Sequence, residues 1–418
     1  MSHVRAFARL TIGRVIAVKP DTPRIKRQHL HDIRSNNRSR ILQVLRSSEA
    51  ISRQELAKRL DLTPASLSRI SKELIEDGIC VEAPISREGS HRGRPGVALQ
   101  INPKGGYLIA ISISSFSRLI SIIDLCGKRQ LQQEVPKQVT LSGADTVAFV
   151  ADYIDGLVRK NILRRDLVLG ASFTVPGSIN AESGFLTKSI LLNWPEFPIK
   201  ERLAERLLCP VHVENNGDAL CRDYLDNKAA NEQSRSNVFL AHVSEGMGAS
   251  IAIGGRIVRR LADEGWINDI PVVSQARDEQ KVRKLSQTAS GKAILAKLQS
   301  VANTPDQDGA EFSEMLQSAV TKANLKADDL HDVFFAAGRT LGANLVTLTV
   351  AIAPDTIVLA GPVLKAHAYS LGVQAGYETA VAEMDIQPSR IVVSDASYIE
   401  ATESLALHDY FVTGAYGV

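Results

Sequence analysis

Apolar positions in the first hundred residues recur at helical spacing in three short runs and then switch to alternation. Ile41, Leu42 and Leu45 fall on one side of a helix predicted over Arg38 to Leu45. Leu56 and Leu60 share one face of a second helix, and Leu67, Ile70 and Leu74 form the apolar stripe of a third. The second helix has Ser52 as its cap and Glu55 three residues on, the spacing of a capping box, with Ile51 and Leu56 placed as a hydrophobic staple. The third repeats the device, with Thr63 as cap, Pro64 at the first helical position, and Leu62 placed to staple to Leu67. Cys80 to Ile85 then reads as a strand, and Val97, Leu99 and Ile101 alternate as a second.

Two capped helices joined by a tight turn could be an ordinary helical hairpin. The polar positions favour a different reading. The face left exposed on the third helix carries Thr63, Ala65, Ser66, Ser68, Arg69 and Lys72, residues small or basic enough for close approach to a DNA groove. Between the two strands lies SREGSHRGRP, which places Arg92 and Arg94 in a turn. A solvated loop would also hold arginines. Placed after a helix-turn-helix, however, this hairpin makes a winged helix, and an extended Arg-Gly-Arg-Pro segment suits a narrow, strongly negative minor groove.

The pattern after residue 106 is different. Tyr107 to Ile113 and Leu119 to Leu125 read as strands, Ala144 to Lys160 as a helix, and Leu167 to Phe173 as a buried strand ending at Val175-Pro176-Gly177. A second round runs through strands Val238 to Val243 and Ala249 to Ile253, a long amphipathic helix over Leu330 to Ile352, and a strand over Thr356 to Ala360. Strand hairpins followed by helix and strand, appearing twice, predict a duplicated α/β architecture with a cleft between lobes.

Charge separates the two parts. Residues 1–100 hold 19 Lys+Arg and 10 Asp+Glu, so 19 − 10 = +9; the whole chain is +3, leaving −6 for the rest. A basic head on an acidic body points to a nucleic-acid contact at the N-terminus and another task for the body. The expected organisation is a basic arm over 1–33, a winged helix-turn-helix over 34–103 and a body over 104–418, with Asn102 to Gly106 as a short hinge. The four cysteines are scattered with no CxxC, which makes a reducing cytoplasm the expected setting. The most apolar stretch, Leu345 to Ala353, is too short for a membrane span, and no membrane partner is expected.

Several segments together resemble the ROK family of sugar-responsive repressors and sugar kinases, over nearly everything from about residue 28. They are RQHLHDIRSNNRSRIL, SRQELAKRLDLTPASLSRISKELIEDG, the wing end GRP, the hinge INPKGGYLIAI, and then VPG, PVHVEN, the GMGA turn and APDTIVLAG in family order. The winged helix is similar to that of the family's repressor branch. The resemblance implies a fold class: α/β, an N-terminal winged helix-turn-helix followed by a two-lobed actin/hexokinase-like ATPase-fold domain. It also implies double-stranded operator DNA and a small sugar or sugar-derivative effector as partners, with assembly as a homodimer or homotetramer.

The family's kinase chemistry is missing at each matching position. The D-x-G-G-T phosphate hairpin, whose glycines open backbone N–H groups to phosphate, is replaced by Ser112-Ile113-Ser114-Ser115-Phe116. The family's E-N-D segment, with Asp as general base, is Glu214-Asn215-Asn216, and an amide cannot take a proton. Asp218 lies two positions away and would need a different backbone path to substitute. The family's zinc segment corresponds to residues 265–284, which contain no Cys and no His, so neither a metal site nor a cofactor is expected. The resemblance places the effector near Asn193, Glu214, Asn215, Asn216, Trp266 and Asp269. Trp266 can equally be a packed core aromatic, and Asn193 is the weaker candidate.

Three readings follow: a repressor with a sugar-sensing body, a sugar kinase with an accessory head, or a DNA-binding protein whose body only assembles. The altered hairpin and missing base favour the first over the second; calorimetry against sugars separates the first from the third. For the wing, Arg92→Ala and Arg94→Ala are expected to lower the slope of operator affinity against salt, because each removes a positive charge near DNA. Gel-shift titrations over a salt series check this, and an unchanged slope in both variants removes the wing from the interface.

Overall fold

A computed structural model describes residues 36–48, 50–84, 97–180, 182–229, 236–258, 267–276, 279–302, 311–325 and 328–413. The basic arm over 1–33, Arg92, Arg94 and Trp266 lie outside the described residues.

The head comprises α1 (36–46), β1 (Ile51–Ser52), α2 (Arg53–Leu60), α3 (Pro64–Glu76), β2 (Cys80–Pro84) and β3 (Val97–Ile101). Its three strands pair in the order β1-β3-β2. The caps form as the sequence predicts, Ser52 Oγ accepting from Glu55 N at 3.1 Å and Thr63 Oγ1 from Ser66 N at 3.3 Å. The capping box at α2 is only half made, because the Glu55 carboxylate pairs forward with Arg59 at 2.9 Å instead of reaching back.

The body begins with β4 (Tyr107–Ile113), β5 (Arg118–Asp124) and β6 (Arg129–Glu134), followed by α4 (Gly143–Arg159), β7 (Val168–Val175), β8 (Ser178–Asn180) and β9 (Phe185–Lys188). The first lobe is completed by α5 (Ile199–Leu207) and β10 (Val211–Asn215), and α6 (Asn216–Ala229) leads out of it. The second lobe contains β11 (Val238–Val243), β12 (Met247–Ile253), β13 (Arg256–Ile257), β14 (Pro271–Ala276), β15 (Glu279–Lys284), α7 (Ser286–Ala289), α8 (Gly291–Ala302) and α9 (Phe312–Asn324). It continues through α10 (Asp328–Ile352), β16 (Thr356–Ala360), α11 (His367–Met384), β17 (Arg390–Val393) and α12 (Tyr398–His408).

Each lobe is built on a five-stranded mixed sheet. The orders are β10-β7-β4-β5-β6 and β13-β12-β11-β16-β17. In both, an antiparallel meander of three strands is extended by two parallel strands reached through helices. This repeated topology is the duplication expected from the sequence, and it is the actin/hexokinase-like arrangement.

The last helix, α12, crosses back onto the first lobe and continues as a π turn over Asp409–Thr413. Almost all of it is buried, including Thr402, Glu403, Ser404, His408 and Asp409. Burying polar groups is tolerated only where each is bonded, and these are. Thr402 meets Thr174 at 2.6 Å on β7. Glu403 takes two bonds from Arg129 at 2.7 and 2.9 Å and a third from Ser121. Asp409 holds His212 Nδ1 at 2.7 Å and Ser172 Oγ at 2.9 Å.

The segment Asn102 to Gly106 is a stapled turn and not a free hinge. Asn102 donates from its backbone N and from Nδ2 to the carbonyls of Ile79 and Gly78, at 2.8 and 2.7 Å. More decisively, head and body share one hydrophobic core. Ile41, Leu42 and Leu45 of α1 cluster with Leu108, Ile123 and Leu125 of the first lobe and with Leu407, Tyr410 and Phe411 at the end of α12.

In the second lobe α10 and α11 pack backbone to backbone. Gly338 and Gly342 face Gly372 and Gly376, and a Cβ at Gly342 would lie 2.0 Å from the carbonyl oxygen of Val373. The sequence expectation that no stretch is long and apolar enough to cross a membrane does not hold by length and composition. Asp329–Ile352 passes that test with a mean hydropathy of 1.3 over its most apolar window. The spacing of side chains explains its composition, since Phe334, Leu341 and Leu345 belong to the lobe's core and the glycines to the helix crossing. Gly342→Ala is expected to destabilise the protein by about 1–3 kcal/mol through overpacking. Gly156→Ala, at a helical site where a Cβ would meet only the end of the Arg159 side chain at 3.9 Å, is expected to stabilise it by about 0.5–1 kcal/mol. Thermal denaturation of the two variants beside the parent checks both signs.

Candidate functional site

The cleft between the lobes is divided into two parts. On one side a cavity of about 360 Å³ is lined by Gly177, Ser178, Lys188, Ile190, Leu191, Asn215, Asn216, His242, Gly248, Asn268, Asp269, Lys284 and others. Its floor is the junction of β10 and α6. Asn215 spends its side chain on the chain itself, donating to the Gly177 carbonyl at 2.6 Å and accepting from Gly217 N at 2.7 Å. Asn216 is 3% exposed; its Nδ2 reaches the Ile113 carbonyl at 3.3 Å, while its Oδ1 is a buried acceptor with no partner. A buried amide oxygen in that state favours a ligand or water that donates a hydrogen bond.

Asp269 lines the same cavity and pairs with Lys284 at 2.7 Å. Glu214 does not line it: the carboxylate is buried beneath the floor, where it accepts from Asn215 N at 2.9 Å. Asn193 is also apart from it, on an exposed turn in the left-handed region, while its neighbour Trp194 is buried and donates to the Thr140 carbonyl. Asp218, the nearest acid to the missing base, turns away to accept from Ser250 Oγ at 2.5 Å.

His242 is the principal residue that sequence reasoning missed, together with Lys188, Asn268 and Lys284. In a strand it reads as one position of a buried alternation. Its register partner on β12 is Gly248, where any Cβ would lie 2.1 Å from His242 Nε2, so the glycine makes room for the ring on the cleft wall. The ring meets Tyr398 edge-on at 6.1 Å, with Nδ1 3.3 Å from the phenol oxygen. Burial pushes the Tyr398 phenol up to about 12, so it stays neutral. Gly248, three residues past Glu245, was the available signal, but only the strand pairing gives it meaning.

On the other side of the cleft the hairpin at Ser114 to Ser117 is closed on itself. Ser114 Oγ accepts from the backbone N of Phe116 and of Ser117, at 3.1 and 2.8 Å. A serine oxygen thus occupies the place where a phosphate oxygen would sit in an open anion nest. Phe116 lies edge-on against Phe312 at 5.9 Å, and Glu311 of the second lobe binds Arg118 at 3.2 Å and Lys137 at 3.1 Å. The Lys137 ammonium holds the Glu311 carboxyl below its usual range, followed in effect by Arg118. These residues do not fit Mg-ATP: Ser114 takes the backbone donors of Phe116 and Ser117, and a clasp joins the lobes beside a remaining groove of about 390 Å³.

In the head, Ala65, Ser68, Arg69 and Lys72 form one exposed stripe on α3. Thr63 serves as cap and Ser66 is half buried beside it. Lys72 is paired only loosely with Glu76, at 3.7 Å, and Arg69 has no ion-pair partner among the described residues. The stripe is held by Leu67, Ile70 and Leu74 in the core behind it.

A model of the ROK family matches residues 119–401, and a winged helix-turn-helix DNA-binding model matches residues 34–79. The chain belongs to the ROK family. Among ROK relatives, a xylose repressor of Caldicellulosiruptor bescii is 26% identical over 227 residues, 54% of this chain and 56% of that repressor's own length. The DNA-binding transcriptional dual regulator NagC of Escherichia coli is 25% identical over 344 residues, 80% of this chain and 82% of NagC. The crystal structure of a ROK transcriptional regulator, a homologue of E. coli MLC protein, superposes with a TM-score of 0.72 at 21% identity, covering 92% of this chain and all of that one. The body also shares its fold with a ROK hexokinase from Thermus thermophilus, with a TM-score of 0.54 at 19% identity over 73% of this chain and 99% of that one. ROK bodies therefore include both regulators and kinases, and the local chemistry has to decide between them.

The exposed stripe generates a prediction. Arg69→Ala and Ser68→Ala are each expected to weaken specific operator binding by about 1–3 kcal/mol, the scale of one base contact. Circular dichroism should remain unchanged, since neither side chain touches the core. Gel-shift titration on the native promoter provides the measurement, and full affinity in both variants would exclude α3 as the reading helix.

Proposed function

We propose that this protein is a DNA-binding transcriptional repressor of carbohydrate genes, controlled by a sugar or sugar derivative in the cleft of a body that performs no catalysis. One observation carries the reading most: the cleft keeps a polar floor with the unpartnered acceptor of Asn216, while the hairpin opposite is filled by its own Ser114 hydroxyl. A body so built can hold a hydroxylated ligand but has neither a place for a nucleotide phosphate nor a base for its acceptor hydroxyl. The similarity to a xylose repressor and to the transcriptional dual regulator NagC supports this reading. The protein acts in the cytoplasm on double-stranded operator DNA, as a homodimer or homotetramer presenting paired heads. Asn215, Asn216 and Asp269 contact the effector from the floor and wall; His242 and Asn268 join them.

Coupling between sites is reciprocal. The effector is therefore expected to change operator affinity about 5- to 150-fold, and operator DNA to change effector affinity by the same factor. Titrating DNA with and without sugar, and sugar with and without DNA, tests the equality. Asp269→Ala should weaken sugar binding and leave effector-free operator binding unchanged. Sugar-dependent ATP turnover that is lost in a cleft variant would falsify the non-catalytic body.

A further inference from the structure

Helix α6 starts in the cleft and ends beside the head. Its first residue is Asn216, on the cavity floor; its 14 residues reach about 21 Å at the ordinary helical rise. Near its far end Asp226 binds His408 Nδ1 at 2.9 and 3.2 Å. His408 is the last residue of α12, and the chain that follows it immediately, Tyr410 and Phe411, is buried in the core shared with Ile41, Leu42 and Leu45 of the head. Both members of the pair are largely enclosed, with side-chain exposures of 11% and 19%. Arg46, on the head's α1, adds a cation facing the same acids: burial lowers its pKa, while Asp226 and Asp223 oppose that effect. Neither the DNA-binding stripe nor the cleft chemistry uses this cluster.

We propose that α6 is the element that transmits cleft occupancy to the head, with the Asp226–His408 pair as the joint through which a shift of the helix moves the end of α12 and the head core built on it. The proposal rests on the effector reading above for its trigger, but the connection itself is a property of the fold. A rigid helix displaced at its N-terminus moves as a body, and packed interfaces at its other end settle into discrete arrangements instead of deforming smoothly. The stapled turn at Asn102 leaves the shared core as the seat of that movement.

The test is a double-mutant cycle on operator affinity in the full-length protein, with no sugar present. Asn216→Arg places a large side chain on the cavity floor and is expected to change operator affinity by at least about fivefold. His408→Leu alone should leave operator affinity near that of the parent, and in its background the Asn216→Arg effect should shrink to less than about twofold. His408→Asn, whose amide can stand in for the Nδ1–H donor, should restore most of the effect; thermal unfolding of each variant separates lost transmission from lost folding. An Asn216→Arg effect of equal size with and without His408, or no effect of Asn216→Arg on operator affinity at all, overturns the proposal. Calorimetry with sugars on the parent is the separate arm: absence of sugar binding there counts against the effector and leaves the cycle to decide the transmission.

Discussion

The fold depends on how α12 is seated. It is a helix of mixed sequence buried almost throughout, and it stays there because its buried polar groups find partners on strands of the first lobe and on α6. Thr402, Glu403 and Asp409 engage β7, β5, β6 and β10 in turn. Removing one member of such a set strands the other in a low-dielectric interior, which costs far more than the pair contributes. The same helix then supplies Leu407, Tyr410 and Phe411 to the head. Seating of the last helix, closure of the first lobe and placement of the head are thus one event.

That arrangement changes how a signal can reach DNA. A head on a flexible tether would respond to the body only through distance. A head whose core includes the body's last turn responds to small displacements of packed side chains. The two halves of the body contribute differently to this. The clasp of Phe116, Arg118 and Glu311 ties the lobes on one side of the cleft. The side holding Asn216 is where occupancy can do mechanical work.

Much of this was legible in the sequence, for a physical reason. The head's helices are short, capped and amphipathic, so periodicity and Ser52, Thr63 and Pro64 marked them within a residue or two. The duplicated lobes announced themselves through apolar strands before Gly-bearing turns. The failures have a common cause, which is that function there comes from pairing across the fold. Glu55 could have closed its box but found Arg59. His242 became a cleft residue only because Gly248 lies opposite. α12 escaped notice because Glu403, Ser404, His408 and Asp409 look like a solvated surface until their partners on the first lobe's strands and on α6 are known. Glu214 and Asn193, read as cleft residues by position in a motif, lie below the floor and on an outer turn.

The self-filled hairpin also sets a condition on redesign. The backbone donors of Phe116 and Ser117 are satisfied by Ser114, and Phe116 and Arg118 are committed to the clasp. An acid at position 216 alone would place a charge at a side chain only 3% exposed. Opening the hairpin alone would expose donors and unseat Phe116. Each step toward phosphoryl transfer therefore passes through a less stable protein before any new activity could reward it. Anyone seeking to build a kinase on this scaffold would have to change both sites together.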